Sequence, residues 1–173
     1  MSTHDVRSCF IDTGVFFAAY NKNDTMHTDG TLLLISSLLG WFGKAYTSTY
    51  VLDETLTLAK ARIGGREAVD LSEKILESEK IVMLGVEERA EILSDALGKF
   101  KKYSDLKGLS FTDCTTLSLR ENHAIHYLMS FERNFKPLVP RLLGEDYHRT
   151  LSENQKQMLA TVAKKLGIKL KLS

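Results

Sequence analysis

Apolar and polar residues follow one another in a pattern that predicts alternating strands and helices. A short apolar run at residues 8–11 is the first candidate strand, followed by an apolar segment from Val15 to Tyr20 and a helical pattern from about Met26 to Phe42. A second, weaker strand is predicted from Lys44 to Ser48, and a helix from Thr49 to Ile63. The apolar face of that helix recurs at steps of three and four: Leu52, Leu56, Ala59 and Ile63.

The middle of the chain continues the alternation. After Gly64 and Gly65, a helix is predicted from Arg66 to about Glu77, the clearest strand from residues 80 to 84, and a further helix from Val86 to Lys102. The expected buried positions of the first of these helices are Ala68, Leu71, Ile75 and Leu76.

The last third predicts a helix from Phe111 to Asn122, a strand from Ile125 to Met129 and a short strand at Leu138 and Val139. A final helix begins at Ser152, which forms a capping-box pattern with Gln155. Its apolar stripe is Met158, Leu159, Val162, Ala163 and Leu166, with Gly167 at the position after its end. Ile168, Leu170 and Leu172 then alternate with lysines, as in a protected edge strand.

This order of elements predicts an α/β fold, a three-layer α/β/α sandwich with a central, mainly parallel sheet and a C-terminal helix extension. A chain of 173 residues, 43% of them hydrophobic, can bury one substantial core but is short for two. We therefore expect one domain over residues 1–173, with a core at about 7–140 and an extension at about 141–173.

Composition excludes several classes of protein. The two cysteines, Cys9 and Cys114, cannot build a disulfide framework or a cysteine zinc site. The N-terminus lacks a cationic segment followed by an apolar one, and no run of 18 apolar residues is present, so we expect a cytoplasmic protein with no membrane partner. The net charge of +1 does not predict a polyanion binder by bulk charge.

Four acidic residues provide the candidate chemistry. Asp12 and Glu132 follow apolar runs, whereas Glu54 and Asp113 lie early in predicted helices. Ligands of parallel α/β sheets gather outside the carboxyl ends of the strands, where strands lead into helices, so these four settings suggest convergence. Clustered carboxylates repel one another, and Mg²⁺ or Mn²⁺ relieves that repulsion because hard cations prefer oxygen ligands.

Four segments resemble the PIN-domain family, metal-dependent ribonucleases that include the VapC-type toxins. They are Phe10-Ile11-Asp12-Thr13-Gly14-Val15-Phe16, Thr47-Ser48-Thr49-Tyr50-Val51-Leu52-Asp53-Glu54, Ser110-Phe111-Thr112-Asp113 and Ser130-Phe131-Glu132-Arg133-Asn134-Phe135. The resemblance covers about residues 7–140. It implies hydrolysis of RNA phosphodiester bonds by a metal-activated water, with an RNA substrate, an antitoxin protein and a second copy of the chain as partners.

The resemblance also implies roles for individual residues. Asp12, Glu54 and Asp113 would be metal-binding and catalytic acids, with Thr13 and Thr112 as polar support. Glu132 occupies a fourth position where the family usually has aspartate. Its longer side chain could reach the metal directly, reach it through water or withdraw, so the number of bound ions stays open.

Each acid also has an ordinary explanation. Ser110 and Asp113 have the spacing of a helix start, Glu54 fits a solvated helix face, and Glu132 fits a loop. Asp12 differs, because a carboxylate directly after a buried strand is costly without a partner.

Two other functions compete with the nuclease. Asp12-Thr13-Gly14 matches the aspartic-protease triplet, but that class needs a β-rich chain and a second triplet or a dimer. The stronger alternative is a PIN-like module that binds RNA or protein without cutting. Arg133, Lys136 and Arg120 could contact phosphates in either a nuclease or an RNA binder, although solvated surface cations would give the same pattern.

Overall fold

Five parallel strands form one central sheet in the computed structural model, which describes residues 7–85, 89–168 and 170. The strands are β1 (Ser8–Ile11), β2 (Lys44–Ser48), β3 (Ile81–Leu84), β4 (Tyr127–Met129) and β5 (Leu142–Leu143). Their order in the sheet is β3-β2-β1-β4-β5, and every neighbouring pair is parallel. All four residues of the central strand β1 are buried.

Helices connect the strands and flank the sheet, which confirms the predicted α/β sandwich. They are α1 (Thr13–Tyr20), α2 (His27–Leu38), α3 (Thr49–Arg62), α4 (Gly65–Leu76), α5 (Ala90–Lys102), α6 (Phe111–Asn122), α7 (Tyr147–Thr150) and α8 (Glu153–Lys165). A 3₁₀ helix, Arg133–Phe135, lies between β4 and β5. Residues 86–88, predicted to begin the helix before Lys102, lie outside the described residues.

Helix α2 is shorter than predicted because a glycine ends it. Gly40 has φ +78°, in the left-handed region that glycine adopts without strain. The Trp41 N–H donates to the Ser36 carbonyl (3.1 Å) and the Gly40 N–H to Ser37 (2.9 Å), the bonds of a Schellman end. The helical pattern predicted as far as Phe42 therefore stops at Leu38.

The buried face of α3 agrees with the prediction at Ala59 but differs in the first two turns of the helix. Val51, Thr55 and Ala59 are fully buried, whereas Leu52 and Leu56 are only half-buried. The large side chains flank the face, and the small Ala59 and Thr55 let the helix approach its neighbours. In α4, Ala68, Leu71 and Ile75 are buried as predicted, but Leu76 is 61% exposed.

The last strand also differs from the prediction. Leu138 and Val139 donate their N–H groups to the Phe135 carbonyl, so this segment forms a turn after the 3₁₀ helix. The strand beside β4 is Leu142–Leu143 instead, where the Leu143 carbonyl accepts from the Ser130 N–H (2.9 Å).

The C-terminal helix begins and ends as predicted. Ser152 and Gln155 form a capping box, and Gly167 has φ +72°. Leu159 and Ala163 join the same core as the sheet, while Leu166 is 61% exposed. Of the five residues of the predicted stripe, Leu159, Val162 and Ala163 pack on the chain itself, whereas Met158 and Leu166 are exposed. Of the predicted lysine-protected strand, residues 169 and 171–173 lie outside the described residues, and Ile168 and Leu170 are not in a strand.

Both cysteines are buried and free. Across residues 7–85, 89–168 and 170, no helix has the length and apolar character needed to cross a bilayer.

Candidate active site

Three neighbouring strands end at the same edge of the sheet. The chain runs from β1 to β2 on one side and returns to β4 on the other, so the strand order reverses at β1. Ile11 lies opposite Met129 in the register of β1 and β4, and Thr47 Oγ1 donates to the Ile11 carbonyl (2.9 Å) from β2. Such a reversal opens a crevice at the carboxyl ends of the strands. Asp12 is the first residue after β1 and so lies at this edge. We call the site formed by Asp12, Glu54, Asp113 and Glu132 the acid edge.

Asp12 is held from β4 by two hydrogen bonds. Its N–H donates to the Met129 carbonyl (3.1 Å), and Ser130 Oγ donates to Asp12 Oδ2 (2.5 Å). Ser130 is itself buried, and its backbone N–H is bonded to β5. Sequence reasoning gave Ser130 no role; its position next to the β4 end, two residues before Glu132, is the signal that could have found it.

The second carboxylate oxygen of Asp12, Oδ1, has no hydrogen-bond partner among the described residues. Asp12 is only 4% exposed, and Oδ1 is buried with no hydrogen bond within the described structure. The pKa of Asp12 is raised to about 7: burial is the largest cause, the charges of Asp113 and, less, Glu54 also raise it, and hydrogen bonds from Ser130 and the Thr13 backbone lower it. A buried carboxylate of this kind is costly unless a proton or a cation neutralises it.

Glu54 approaches the acid edge from α3. This helix begins directly after β2, where the Ser48 side chain caps it by accepting from the Val51 N–H (3.2 Å). Thr13 Oγ1, at the start of α1, donates to Glu54 Oε2 (2.6 Å). The neighbouring acid Asp53 is exposed, so the structure brings Glu54 rather than Asp53 to the edge.

Asp113 occupies the first turn of α6 and caps it. The Ser110 N–H donates to Asp113 Oδ2 (2.6 Å), and the Asp113 N–H donates to Ser110 Oγ (3.1 Å), which forms a complete capping box. The ordinary interpretation of this acid is thus confirmed. Burial raises the pKa of Asp113 to about 6, the Ser110 bonds lower it, and the charges of Glu54 and Glu132 raise it. The same carboxylate therefore caps a helix and faces the other acids.

Thr112 does not support the acids in the way that Thr13 does. Its backbone carbonyl accepts from Thr115 Oγ1 (2.7 Å), and among the described contacts its side chain makes no bond to an acid.

Glu132 is partly committed to its own loop. Its Oε1 accepts from both the backbone N–H and the Nδ2 of Asn134, each at 2.8 Å, and so caps the 3₁₀ helix. Its N–H donates to Ser130 Oγ (3.0 Å), the hydroxyl that holds Asp12. Of the two carboxylate oxygens, only Oε2 could act at the acid edge without breaking this cap.

The four acids of the acid edge have no cationic side chain paired with them among the described residues. None of the ion pairs formed by the described residues includes Asp12, Glu54, Asp113 or Glu132. Within the same residues, no three histidine, cysteine or acidic side chains are close enough together to hold an ion as they are placed. The carboxylate oxygens of the acid edge are therefore held near one another by different donors, but they do not form a closed coordination shell.

The sequence matches the family model of the PIN domain over residues 9–138. This chain belongs to the PIN-domain family. The match contains all four strand-end and helix-start segments around the acid edge, and it ends before β5.

Individual PIN relatives extend the comparison. A VapC ribonuclease of Archaeoglobus fulgidus is 29% identical over 161 residues, which are 93% of this chain and 98% of that protein. The crystal structure of VapC20 of Mycobacterium tuberculosis, a toxin that cleaves the sarcin-ricin loop, superposes with a TM-score of 0.65 at 26% identity, covering 75% of this chain and 94% of VapC20.

A third relative shares the fold. A chain of the VapBC2 structure of Rickettsia felis, solved with a DNA fragment from its promoter, gives a TM-score of 0.54 at 17% identity, covering 80% of this chain and 97% of that chain. The predicted family and fold are therefore confirmed.

Proposed function

We propose that this chain is a metal-dependent endoribonuclease of the VapC type that hydrolyses RNA phosphodiester bonds at the acid edge. One observation carries the proposal: Asp12 is buried beside Asp113 and Glu54, and its Oδ1 has no partner among the described residues. Such a free carboxylate oxygen can bind a cation, and a hydrolase that acts on a polyanion can use that cation. The VapC ribonuclease that aligns over nearly the whole of both chains supports the same reaction.

The residues present suit Mg²⁺ or Mn²⁺. All candidate ligands are carboxylate oxygens, which hard cations prefer, and an ion that keeps several of its waters does not need a closed protein shell. Asp12, Asp113 and Glu54 would hold the ion, with Glu132 Oε2 as an outer ligand. When bound, the ion supplies an acidified water as nucleophile and neutralises charge on the phosphate.

The chain's own groups fix the acids in place. Ser130 holds Oδ2 of Asp12, Thr13 holds Oε2 of Glu54, and Ser110 holds Oδ2 of Asp113, so each carboxylate has one oxygen restrained by a donor. For Asp12 and Asp113, these donors favour the ionised carboxylate and so oppose part of the rise in pKa that burial causes. The donors therefore hold the carboxylates in position, while burial keeps the pKa values of Asp12 and Asp113 above their ordinary value.

The partners follow from the same relatives. The Mycobacterium tuberculosis toxin cleaves the sarcin-ricin loop, and the Rickettsia felis chain is part of a VapBC2 structure with promoter DNA. We propose that this chain likewise has an RNA substrate and an antitoxin protein that neutralises the chain.

Cleavage of labelled RNA, with and without metal, tests the proposal. We expect the wild-type chain to cut RNA with Mg²⁺ or Mn²⁺, to stop in excess chelator, and to regain activity when the metal is restored. Asp12→Asn should lower the rate by at least about 100-fold while its circular dichroism spectrum stays native. Undiminished cleavage by Asp12→Asn, or by wild type in chelator, would contradict the assignment.

A non-catalytic RNA-binding module is the second candidate, and the Glu132 cap favours it, since Oε1 is bonded to Asn134. Thermal unfolding with added Mn²⁺ separates the two. A cation that binds only the folded chain raises its melting temperature, and Asp12→Asn should remove that rise. If millimolar Mn²⁺ leaves the wild-type melting temperature unchanged, the module is the better description.

A further inference from the structure

Two cavities lie side by side next to the acid edge, on the side of β4 and β5. The first, of about 300 Å³, is lined by Ser130 and Glu132 and extends past Lys136. The second, of about 420 Å³, is lined by Arg120 and Arg141. Pro140 lines both cavities, and we call the residues that line the two cavities the β4–β5 flank. It leads from the acid edge to the amino end of β4.

The acids along this flank already have cationic partners. Arg133 is paired with Glu145 (3.6 Å), Arg149 with Asp146 (3.3 Å) and Lys99 with Glu121 (2.8 Å). In the part of the chain that the structure describes, no acid forms an ion pair with Lys136, Arg120 or Arg141. Apart from Glu132 at the acid edge, the charge left over along the flank is therefore positive.

Arg120 is held at the far end with an unused donor. Its Nη2 donates to the His126 carbonyl (3.5 Å), whereas Nε is buried and has no partner among the described residues. Burial lowers the pKa of Arg120; the charge of Glu121 opposes this shift, and that of Arg141 adds to it. The guanidinium groups of Arg120 and Arg141 therefore line the same cavity and repel each other. An anion bound between them would relieve that repulsion.

Arg141 is positioned by the sheet and by an aromatic ring. Its carbonyl accepts from the Leu128 N–H (3.1 Å), which fixes its backbone beside β4. Its guanidinium lies 5.8 Å from the centre of the Tyr127 ring, a cation–π distance. A guanidinium on a ring face keeps its edge N–H groups free to form the paired bonds that suit phosphate.

The far end of the flank is too distant from the acid edge to contact the phosphate that is cut. From Ser130 to His126, at the two ends of β4, the chain advances four residues, or about 13 Å at about 3.3 Å per residue. A cation at the His126 end therefore acts on binding rather than on the chemical step.

We propose that the RNA strand runs from the acid edge along the β4–β5 flank, with Lys136, Arg141 and Arg120 binding phosphates beyond the one that is cut. This inference rests on the proposed function, of which it names the substrate path. Three cations that form no ion pair with any described residue, Lys136 beside the acid edge and Arg141 and Arg120 in the second cavity, suit a flexible chain of regularly spaced anions.

RNA binding as a function of salt tests the path. The Asp12→Asn chain would be compared with the same chain carrying Lys136→Gln and Arg141→Gln, using one short labelled single-stranded RNA over a series of NaCl concentrations. Each lost phosphate contact should reduce the slope of log affinity against log salt by about 0.7, so the double change should reduce it by about 1.4. Both side chains are exposed, so their replacement should leave the fold intact.

The matched control replaces two other exposed lysines, Lys164 and Lys165 in the last turn of α8, with glutamine. It should leave the slope unchanged. With Asp12 intact, the Lys136 and Arg141 changes should raise KM by several-fold more than they lower kcat, because a contact made equally in the ground and transition states affects binding alone.

Three results would overturn the path: no RNA binding by the Asp12→Asn chain, equal slopes for flank and control variants, or a flank that binds polyglutamate in preference to RNA. Flank-dependent RNA binding by a wild-type chain that cuts no RNA would support the path and overturn only the proposed nuclease.

Discussion

Ser130 Oγ donates to Asp12 Oδ2 at 2.5 Å and accepts from the Glu132 N–H at 3.0 Å, so one buried hydroxyl joins the acid after β1 to the acid after β4. These acids are 120 residues apart in sequence and are linked only because their strands are neighbours. The hydroxyl orients Asp12 and lowers its pKa against the effect of burial.

Replacing Ser130 with alanine should shift the pH dependence of cleavage. Without its donor the pKa of Asp12 rises, so the acid limb of the pH–rate profile should move to higher pH. Activity below pH 7 should fall several-fold more than activity at pH 9. Ser130→Thr keeps a hydroxyl and should restore most of the profile. Equal losses at every pH would mean that Ser130 serves packing alone.

Asp12→Asn should stabilise the metal-free protein at neutral pH. The pKa of Asp12 is about 7 in the folded chain and 3.8 when unperturbed. Between those values the folded state binds more protons than the unfolded state, so the contribution of Asp12 to stability is complete below about pH 4 and is lost as the pH rises through 7. Asparagine carries no such titration.

Urea unfolding in chelator measures this effect. At pH 8 the variant should be more stable than wild type by about 1 to 3 kcal/mol, and at pH 4 the two should nearly coincide. A variant that is less stable than wild type at pH 8 would show that the ionised Asp12 does not destabilise the folded state.

Glu132 can be tested separately from its cap. Glu132→Gln keeps an Oε1 acceptor for Asn134 but removes the charge, so stability should hold while metal-dependent cleavage falls. Glu132→Ala removes both and should also cost about 1 kcal/mol of stability. If Glu132→Gln cleaves like wild type, Glu132 is a capping residue and takes no part at the acid edge.

Asp29 should be important for stability and unimportant for cleavage. This buried carboxylate at the start of α2 accepts from the Asp146 N–H (3.1 Å), the His148 N–H (2.8 Å) and His148 Nδ1 (2.8 Å). Asp29→Ala leaves these donors without their acceptor and should cost about 2 to 3 kcal/mol, measured by urea unfolding.

The matched change is His148→Ala, which removes the ring but keeps both backbone bonds to Asp29. It should cost about 1 kcal/mol. Activity per folded molecule should be unchanged in both variants. A stability loss for His148→Ala as large as that for Asp29→Ala would mean that the ring, not the backbone bonds, anchors α7.

Local chemistry explains which features the sequence predicted. The strand at residues 8–11 and the helix Phe111–Asn122 were correct because each is marked by neighbours in the chain: an apolar run that ends at Asp12, and a Ser110 cap that Asp113 completes. Gly167 likewise ended α8 as expected, since only glycine adopts its φ without strain. Gly40 ended α2 by the same mechanism, but an apolar pattern that continues past it concealed the stop.

Features that depend on distant parts of the chain were missed. Leu138 and Val139 have the composition of a strand, but their N–H groups are used by Phe135, and Leu142–Leu143 pairs with β4 instead. Val51 is fully buried and Leu52 only partly, because packing against other elements, and not hydrophobicity alone, sets the rotation of α3.

The sequence by itself determined the family, the order of the elements and which acids stand at strand ends and helix starts, because those depend on residues close together in the chain. Only the tertiary structure decided that β1 lies between β2 and β4, which places Ser130 on Asp12, Thr13 on Glu54 and Asn134 on Glu132 Oε1. The physical reason is that a parallel sheet is closed by hydrogen bonds between strands far apart in sequence, and no local pattern specifies which strands will pair.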